Sequence, residues 1–285
     1  MLASDRLEAF AAVAAEGSFT RGAKRVGITQ SAMSQRIRKL EEELGATLFV
    51  RLRERARLTA EGEALLRFVR AREGLEAEML RGLRPEAERG AGRHAGVLRV
   101  AGFSSVTRSI LVPALSPLVR ESPAVVAHVF ARELRDLAGV LRSGEADLVV
   151  TDRELPEPGI ESLHLGDEQN VLVEPRGPCP SRFLDHDPDD TITDRFATLN
   201  GLDLAGVPRS YLDDIYGILD GVAAGWGRAV VSAHLVRGRA GLRVVRGHEP
   251  LRTAVFLHGR ASRFRSSVER AAIAAIVATF ARVLA

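Results

Sequence analysis

Cysteine is almost missing from these 285 residues: Cys179 is the only one, so no internal disulfide can form, and no metal-ligand set surrounds it. Aromatic residues make up 5% of the chain, with a single tryptophan, Trp226. No window approaches the roughly 18 uncharged apolar residues that a membrane-spanning helix needs. The start, Met1-Leu2-Ala3-Ser4-Asp5-Arg6-Leu7-Glu8, puts acids and an arginine where a signal peptide needs an unbroken apolar stretch, so the expectation is a cytoplasmic protein without membrane contact. Lysine is scarce as well, two against 38 arginines. The seven histidines are scattered, and neither a serine–histidine–acid order nor a glycine-rich phosphate loop is recognisable, which gives no support to a catalytic site, a metal or a cofactor.

What is present fits globular domains. Apolar residues are 46% and charged residues 27% of the chain, and the length suits two or three domains with cores of their own. The charge is uneven. Residues 1–89 hold 17 basic and 14 acidic side chains, residues 90–285 hold 23 of each, and residues 18–57 hold 10 basic against 4 acidic. Such a local excess of cations is the footprint of a surface that meets polyphosphate.

The N-terminal third reads as short helices. Leu7, Phe10, Ala11 and Ala14 recur at helical spacing over residues 4–15, with Ser4 or Asp5 as caps and Gly17 as the stop. A second helix spans about Phe19 to Val26 behind Ser18, Gly27-Ile28-Thr29 makes a turn, and a third helix runs from Gln30 to about Leu44. Two short helices around a three-residue, glycine-containing turn are the helix-turn-helix outline. On the third helix, at about 100° per residue, Met33, Ile37, Leu40 and Leu44 gather on one face, while Ser31, Ser34, Gln35 and Arg38 gather on another. Serine, glutamine and arginine are side chains that read base edges or hold phosphates, although the same pattern also describes an ordinary solvated face.

Gly45 turns the chain into Leu48-Phe49-Val50, and Arg51, Arg53, Arg55 and Arg57 then alternate, so that on a hairpin they are expected to share one side, as a wing tracking a phosphate backbone. Thr59 caps a long helix to about Glu88, whose Leu65, Phe68, Val69, Leu75, Met79, Leu80 and Leu83 form a stripe. A lone amphipathic helix of that length needs a partner, and a coiled-coil-like dimer interface is expected.

Gly17-Ser18-Phe19-Thr20-Arg21-Gly22-Ala23, Ile28 through Glu41, Leu44-Gly45 to Arg51, and Leu58-Thr59 with Gly62 together resemble the winged helix-turn-helix of LysR-type transcriptional regulators. Ser34-Gln35-Arg36-Ile37 departs from the commoner Ser-Arg-Gln-Ile and is similar to the branch regulating arginine or lysine export (ArgP/LysG-like). The resemblance implies that Thr29, Gln30, Ser31, Ser34, Gln35, Arg38, Arg51 and Arg53 contact DNA, with Gln35 at a base-reading position suited to adenine. It also implies a homodimer or tetramer on spaced promoter half-sites of double-stranded DNA.

Arg89 to Gly96 is a small-residue hinge. Beyond it, strand-like Val97–Ala101, Ala124–Val129 and Asp147–Thr151 alternate with helical residues 107–121 and Leu134–Ser143, the signature of a parallel sheet. A second such run spans Gln169 to about His234, with a turn-rich stretch around Asp185 and a helix from Ile215 to Gly225, and Val268–Leu284 is apolar at helical spacing. Leu111 to Leu115, Leu141 to Asp147 and Gly221 to Gly227 carry the resemblance on and imply a periplasmic-binding-protein-like effector domain. The expected architecture is an N-terminal all-α winged helix-turn-helix over residues 1–58, a linker helix over 59–89, a hinge over 90–96 and a C-terminal α/β two-lobed domain over 97–285.

In such sheets ligands bind at the carboxyl ends of strands. Those ends hold Ser104, Ser105, Thr107 and Arg108, then Glu133, then Asp152, with Asp213 at a helix start. In the functional reading, helix N–H groups near Ser105 take a carboxylate, and Glu133, Asp152 or Asp213 takes an ammonium or guanidinium of a small-molecule effector. In the plainer reading these residues are helix caps and solvated charges. Where the family has Gly-x-Gly-Ile-x-x-Leu-Pro, this chain has Gly225-Trp226-Gly227-Arg228-Ala229-Val230, which is expected to put a bulky Trp226 near the cleft. A rival reading is a solute-binding protein or enzyme on the same two-lobed scaffold, with the N-terminal part an incidental dimerisation module.

Overall fold

The structure is a computed structural model that describes residues 3–52, 55–83, 94–261 and 265–284. Its N-terminal unit is α1 (Ser4–Glu16), α2 (Phe19–Val26), α3 (Gln30–Leu44), a hairpin of β1 (Phe49–Leu52) and β2 (Arg55–Leu58), and the long α4 (Ala60–Leu83). Leu7, Phe10 and Val13 of α1 close against Met33, Ile37 and Leu40 of α3, all buried, so the apolar face expected on α3 is the core face. Leu44, at the end of that face, is exposed. Phe49 enters the same core with its ring 5.3 Å from Phe10 and 5.5 Å from Phe19. Local chemistry sets the helix ends: Ser18 Oγ accepts from the Arg21 amide, and Gly27 stops α2 at φ 75°, a conformation only glycine adopts freely. Neither Ser4 nor Asp5 caps α1, which starts behind Ala3 without a side-chain cap.

Two expectations change here. The hairpin register pairs Arg51 with Ala56, Val50 with Arg57 and Leu52 with Arg55. Directly opposed residues share a face, so position 51 belongs to the other face from Arg55 and Arg57, because the turn reverses the alternation. Arg53 lies outside the described residues. The stripe on α4 also divides: Leu65, Leu66 and Val69 are buried in the N-terminal core, whereas Phe68, Leu75, Met79, Leu80 and Leu83 are exposed. The hinge expected at residues 90–96 lies outside the described residues up to residue 93, and Gly96 already opens a strand.

The C-terminal domain is built on β3 (Gly96–Gly102), β4 (Val125–Ala131) and β5 (Leu148–Thr151), which are parallel. After β3 the chain runs through α5 (Ser104–Val106), a five-residue π segment (Thr107–Leu111) and α6 (Val112–Glu121), and α7 (Leu134–Ser143) links β4 to β5. Two long strands were not read from the sequence: β6 (Ile160–Pro175) and β11 (Leu251–Arg260) pair antiparallel and run between the two lobes. Their register shifts at a bulge between Val255 and Phe256. Past the bulge, β6 takes on β9 (Ala229–Ser232) and β10 (Leu242–Val244), and β7 (Phe183–Asp185) pairs parallel to β8 (Arg209–Tyr211). The stretch around Asp185, expected as turns, is therefore a strand, and Asp185 is buried against the Arg209 guanidinium at 2.9 Å and the Thr193 hydroxyl at 2.6 Å. Helices α8 (Ile192–Asn200) and α9 (Ile215–Ala223) cover the second lobe, while α10 (Ser267–Leu284) returns to the first and buries Val268, Ala272, Ile276 and Phe280 against β3, β5 and α6.

Candidate DNA-reading face and effector cleft

The polar face of α3 is presented to solvent by the burial of its opposite side. Gln30, Ser31, Gln35 and Arg38 are exposed and Ser34 is half-buried. Thr29 caps the helix by accepting from the Ala32 amide at 3.2 Å and sits 2.9 Å from Ser31 Oγ, so its hydroxyl holds the helix start in place. Several neighbouring arginines are occupied: Arg36 faces Asp5, and Arg21 and Arg25 face Glu16. Arg38 has no ion pair among the described residues, which leaves its five donors for a phosphate or a base. Arg55 and Arg57 are exposed on the hairpin.

Between the two lobes lies a cleft of about 600 Å³. Ser104 and Ser105 follow β3, Glu133 follows β4 and Asp152 follows β5 on one side, and Asp213 precedes α9 on the other. Thr107 and Arg108 stand outside it: Arg108 lies over the Tyr216 ring at 4.1 Å, and the buried Thr107 hydroxyl has no hydrogen-bond partner among the described residues. Trp226 is also outside, 55% exposed, contrary to expectation. Asp213 does not cap α9; Asp214 does, accepting from the Gly217 amide.

The three acids singled out in the sequence occupy the rim. The Asp213 side chain is 97% exposed, Asp152 pairs with Arg153 at 3.0 Å, and Glu133 faces His186 at 3.9 Å. His186 also lies 3.8 Å from Asp213, so this imidazole bridges the lobes at the mouth. Glu133, His186 and Asp187 bring ligand-type atoms within 4.8 Å of one another at this mouth.

The floor comes from the crossing strands and was missed. Glu168 and Asn170 on β6, Ser232 on β9 and Thr253 on β11 all line the cleft. Glu168 is 6% exposed, and burial pushes its carboxyl up to about 7, against the opposing effect of the Ser232 hydroxyl. Next to it His234, in a single 3-10 turn over Ala233–Leu235, is held well down, at about 4, by burial, so its ring is neutral at physiological pH. Ser109 Oγ, which donates to the Ser105 carbonyl at 2.5 Å, lies 2.9 Å from His234 Nε2, and Ser232 Oγ lies 2.7 Å from His234 Nδ1. The structure thus joins a serine, a histidine and an acid that the sequence order concealed. Ser109 is not a free nucleophile, however, since its proton is committed to a carbonyl and it does not line the cleft.

Residues 4–63 match the family described as "Bacterial regulatory helix-turn-helix protein, lysR family", and residues 91–281 match the "LysR substrate binding domain". The HTH-type transcriptional regulator ShiR of Corynebacterium glutamicum (strain R) is 36% identical over 173 residues, which span 60% of this chain and 57% of ShiR. A probable RuBisCO transcriptional regulator of Cyanidioschyzon merolae is 28% identical over 263 residues, 85% of each chain. The fold matches ArgP from Mycobacterium tuberculosis with a TM-score of 0.75 at 23% identity, covering 98% of both chains. It matches full-length LysG from Corynebacterium glutamicum, solved with bound effector Arg, with a TM-score of 0.72 at 19% identity and the same coverage. With a helix-turn-helix unit and a two-lobed domain both matched along their length, the chain belongs to the LysR family of bacterial transcriptional regulators.

Proposed function

We propose that this protein is a sequence-specific, homo-oligomeric LysR-type regulator that reads double-stranded promoter DNA with α3 and the hairpin, and responds to an amino acid, basic ones first, in its inter-lobe cleft. The observation that carries the first half is the exposed Gln35 and Arg38 face of α3, held outward by the burial of Met33, Ile37 and Leu40. A glutamine there suits a bidentate contact to adenine, and arginines on α3 and the hairpin suit phosphates. Supporting the second half, eight carboxylates and four guanidiniums line the cleft together with the hydroxyls of Ser104 and Ser105, a set that complements a zwitterion with an extra positive charge.

The division into a winged helix-turn-helix (1–58), linker helix (59–89), hinge (90–96) and effector domain (97–285) is part of this reading. So are a site of action in the cytoplasm, where the DNA lies, and a role without catalysis. The spent donor of Ser109 supports the last of these against the enzyme alternative.

A band-shift titration with the protein's own upstream DNA at low salt tests the regulator. Binding that exceeds that to random DNA of equal length, and that shifts on adding L-arginine or L-lysine, is expected. Equal binding to both DNAs overturns the sequence-specific reading, and an unshifted titration overturns the amino-acid reading.

A further inference from the structure

The Glu168 carboxylate stands in the floor of the cleft without its complement. It is more than nine-tenths buried, its Oε1 has no hydrogen-bond partner among the described residues, and it lines the cavity. The groups around it are hydroxyls and a neutral ring. Ser109 gives its proton to the Ser105 carbonyl and lies 2.9 Å from His234 Nε2, while Ser232 Oγ lies 2.7 Å from His234 Nδ1. The Ser232 hydroxyl is shared between His234 Nδ1 and the Glu168 carboxyl, and no positively charged donor is placed against Glu168 among the described residues. His234 does not neutralise the acid either: its Nδ1 is 3.7 Å away, and burial keeps the ring neutral. A buried carboxyl so placed holds its own proton or waits for a positive donor.

We infer that Glu168 is the anchor for a cationic nitrogen of the effector, and that this cleft selects ligands carrying an ammonium or guanidinium over anions of the same carbon skeleton. This rests on the proposal that the cleft is the effector site and deepens it by moving the cation from the solvated rim acids to the floor. The cleft wall supplies the rest of the fit: Ile218, Val230, Leu235 and Val255 line it and suit an aliphatic stem behind the charged group. Water screens Asp213, so a charge gained there discriminates little, whereas a charge-assisted bond in the buried floor discriminates strongly. The anchor is also wired across the lobes. Ser232 and His234 belong to the second lobe and Ser109 to the first, so a ligand that draws Glu168 into its ionised form acts on the hydrogen bonds that join the two.

The test is calorimetric titration of the full chain with L-lysine, L-arginine, cadaverine (the cation without a carboxylate) and hexanoate (the carboxylate without a cation). Lysine, arginine and cadaverine are expected to bind wild type about tenfold or more tighter than hexanoate, as a charge-assisted hydrogen bond provides. Glu168→Gln is expected to remove most of that preference, Glu168→Asp to keep part of it, and Asp213→Asn to lower it less than Glu168→Gln does. Melting curves of each variant check the fold, and the wild-type comparison of cadaverine with hexanoate needs no variant. Hexanoate binding as tightly as cadaverine, or a Gln variant that binds every cation like wild type, overturns the anchor while leaving the amino-acid reading intact if lysine or arginine binds. Cadaverine binding that depends on Glu168, with no binding of either amino acid, keeps the anchor and overturns the amino-acid reading. No binding by any of the four overturns both.

Discussion

His234 Nδ1 lies 3.7 Å from Glu168 Oε1 in a pocket where both side chains are more than nine-tenths buried, yet the pair is not an ion pair. Burial acts on the two groups in opposite directions on the pH scale and toward the same end, neutrality. It raises the acid to about 7 and lowers the imidazole to about 4, so over the range between those values both are predominantly uncharged.

A stability profile follows from Glu168. Its carboxyl titrates at about 7 folded against 4.5 unfolded. Below the unfolded value both states hold the proton and the group contributes nothing. As pH rises between the two values the unfolded chain releases its proton first, so stability falls and levels off above about 7, a loss on the order of 3 kcal/mol. Glu168→Gln should therefore melt higher than wild type at pH about 8 and show little difference at about pH 4. Glu269, also raised to about 7 by burial despite Arg265, tilts both proteins alike and cancels in that comparison. Equal melting temperatures at both pH values would contradict the assignment.

On the DNA side, Gln35→Ala should lower discrimination at one base pair by about 1–3 kcal/mol, measured as the ratio of affinities for operator and single-base variants. Arg55→Ala and Arg57→Ala should instead weaken binding to all sequences and flatten its dependence on salt. An unchanged ratio for Gln35→Ala would show that the reading face lies elsewhere.

Assembly should depend on the distal half of α4. Leu75 and Met79 are 43% and 54% exposed, while Leu65 and Val69 are committed to the N-terminal core. Leu75→Asp with Met79→Asp is expected to give monomers by light scattering with an unchanged helix content, because charges on an apolar face disfavour its burial in a partner. Leu65→Asp should unfold the N-terminal unit instead. Dimers that survive the double substitution would place the interface on another surface.

Gly62 on α4 has no room for a side chain: a Cβ there would lie 2.2 Å from the Leu48 carbonyl oxygen. Gly62→Ala should destabilise the N-terminal unit by about 1–3 kcal/mol through the shift of α4 against the hairpin, although alanine is the better helix former. A melting temperature equal to or above wild type would mean that this contact yields without cost.

The chain's local physics determined α1 to α3, the hairpin and α4, because each element carries its own period and its own stop: Ser18 and Thr29 as caps, Gly27 and Gly45 as turns, and Met33, Ile37 and Leu40 on one face. It also determined α7, whose bounds Leu134–Ser143 can be read from the sequence. The crossing strands escaped notice because β6 carries acids and amides on both faces and is broken by Gly166, so its alternation of two does not show as alternating hydrophobicity. The arginines of the hairpin looked like one row until a cross-strand register, which no single strand contains, divided them. Rim acids such as Glu133, Asp152 and Asp213 were found because they lie at the ends or starts of predicted elements; Glu168, between Asp167 and Gln169, reads as surface. Only tertiary structure decided otherwise, by laying β9 and β11 against β6 and bringing Ser232, His234 and Ser109 from distant parts of the chain to its side. Burial is a property of what packs around a residue, and the contacts that bury Glu168 come from far along the chain.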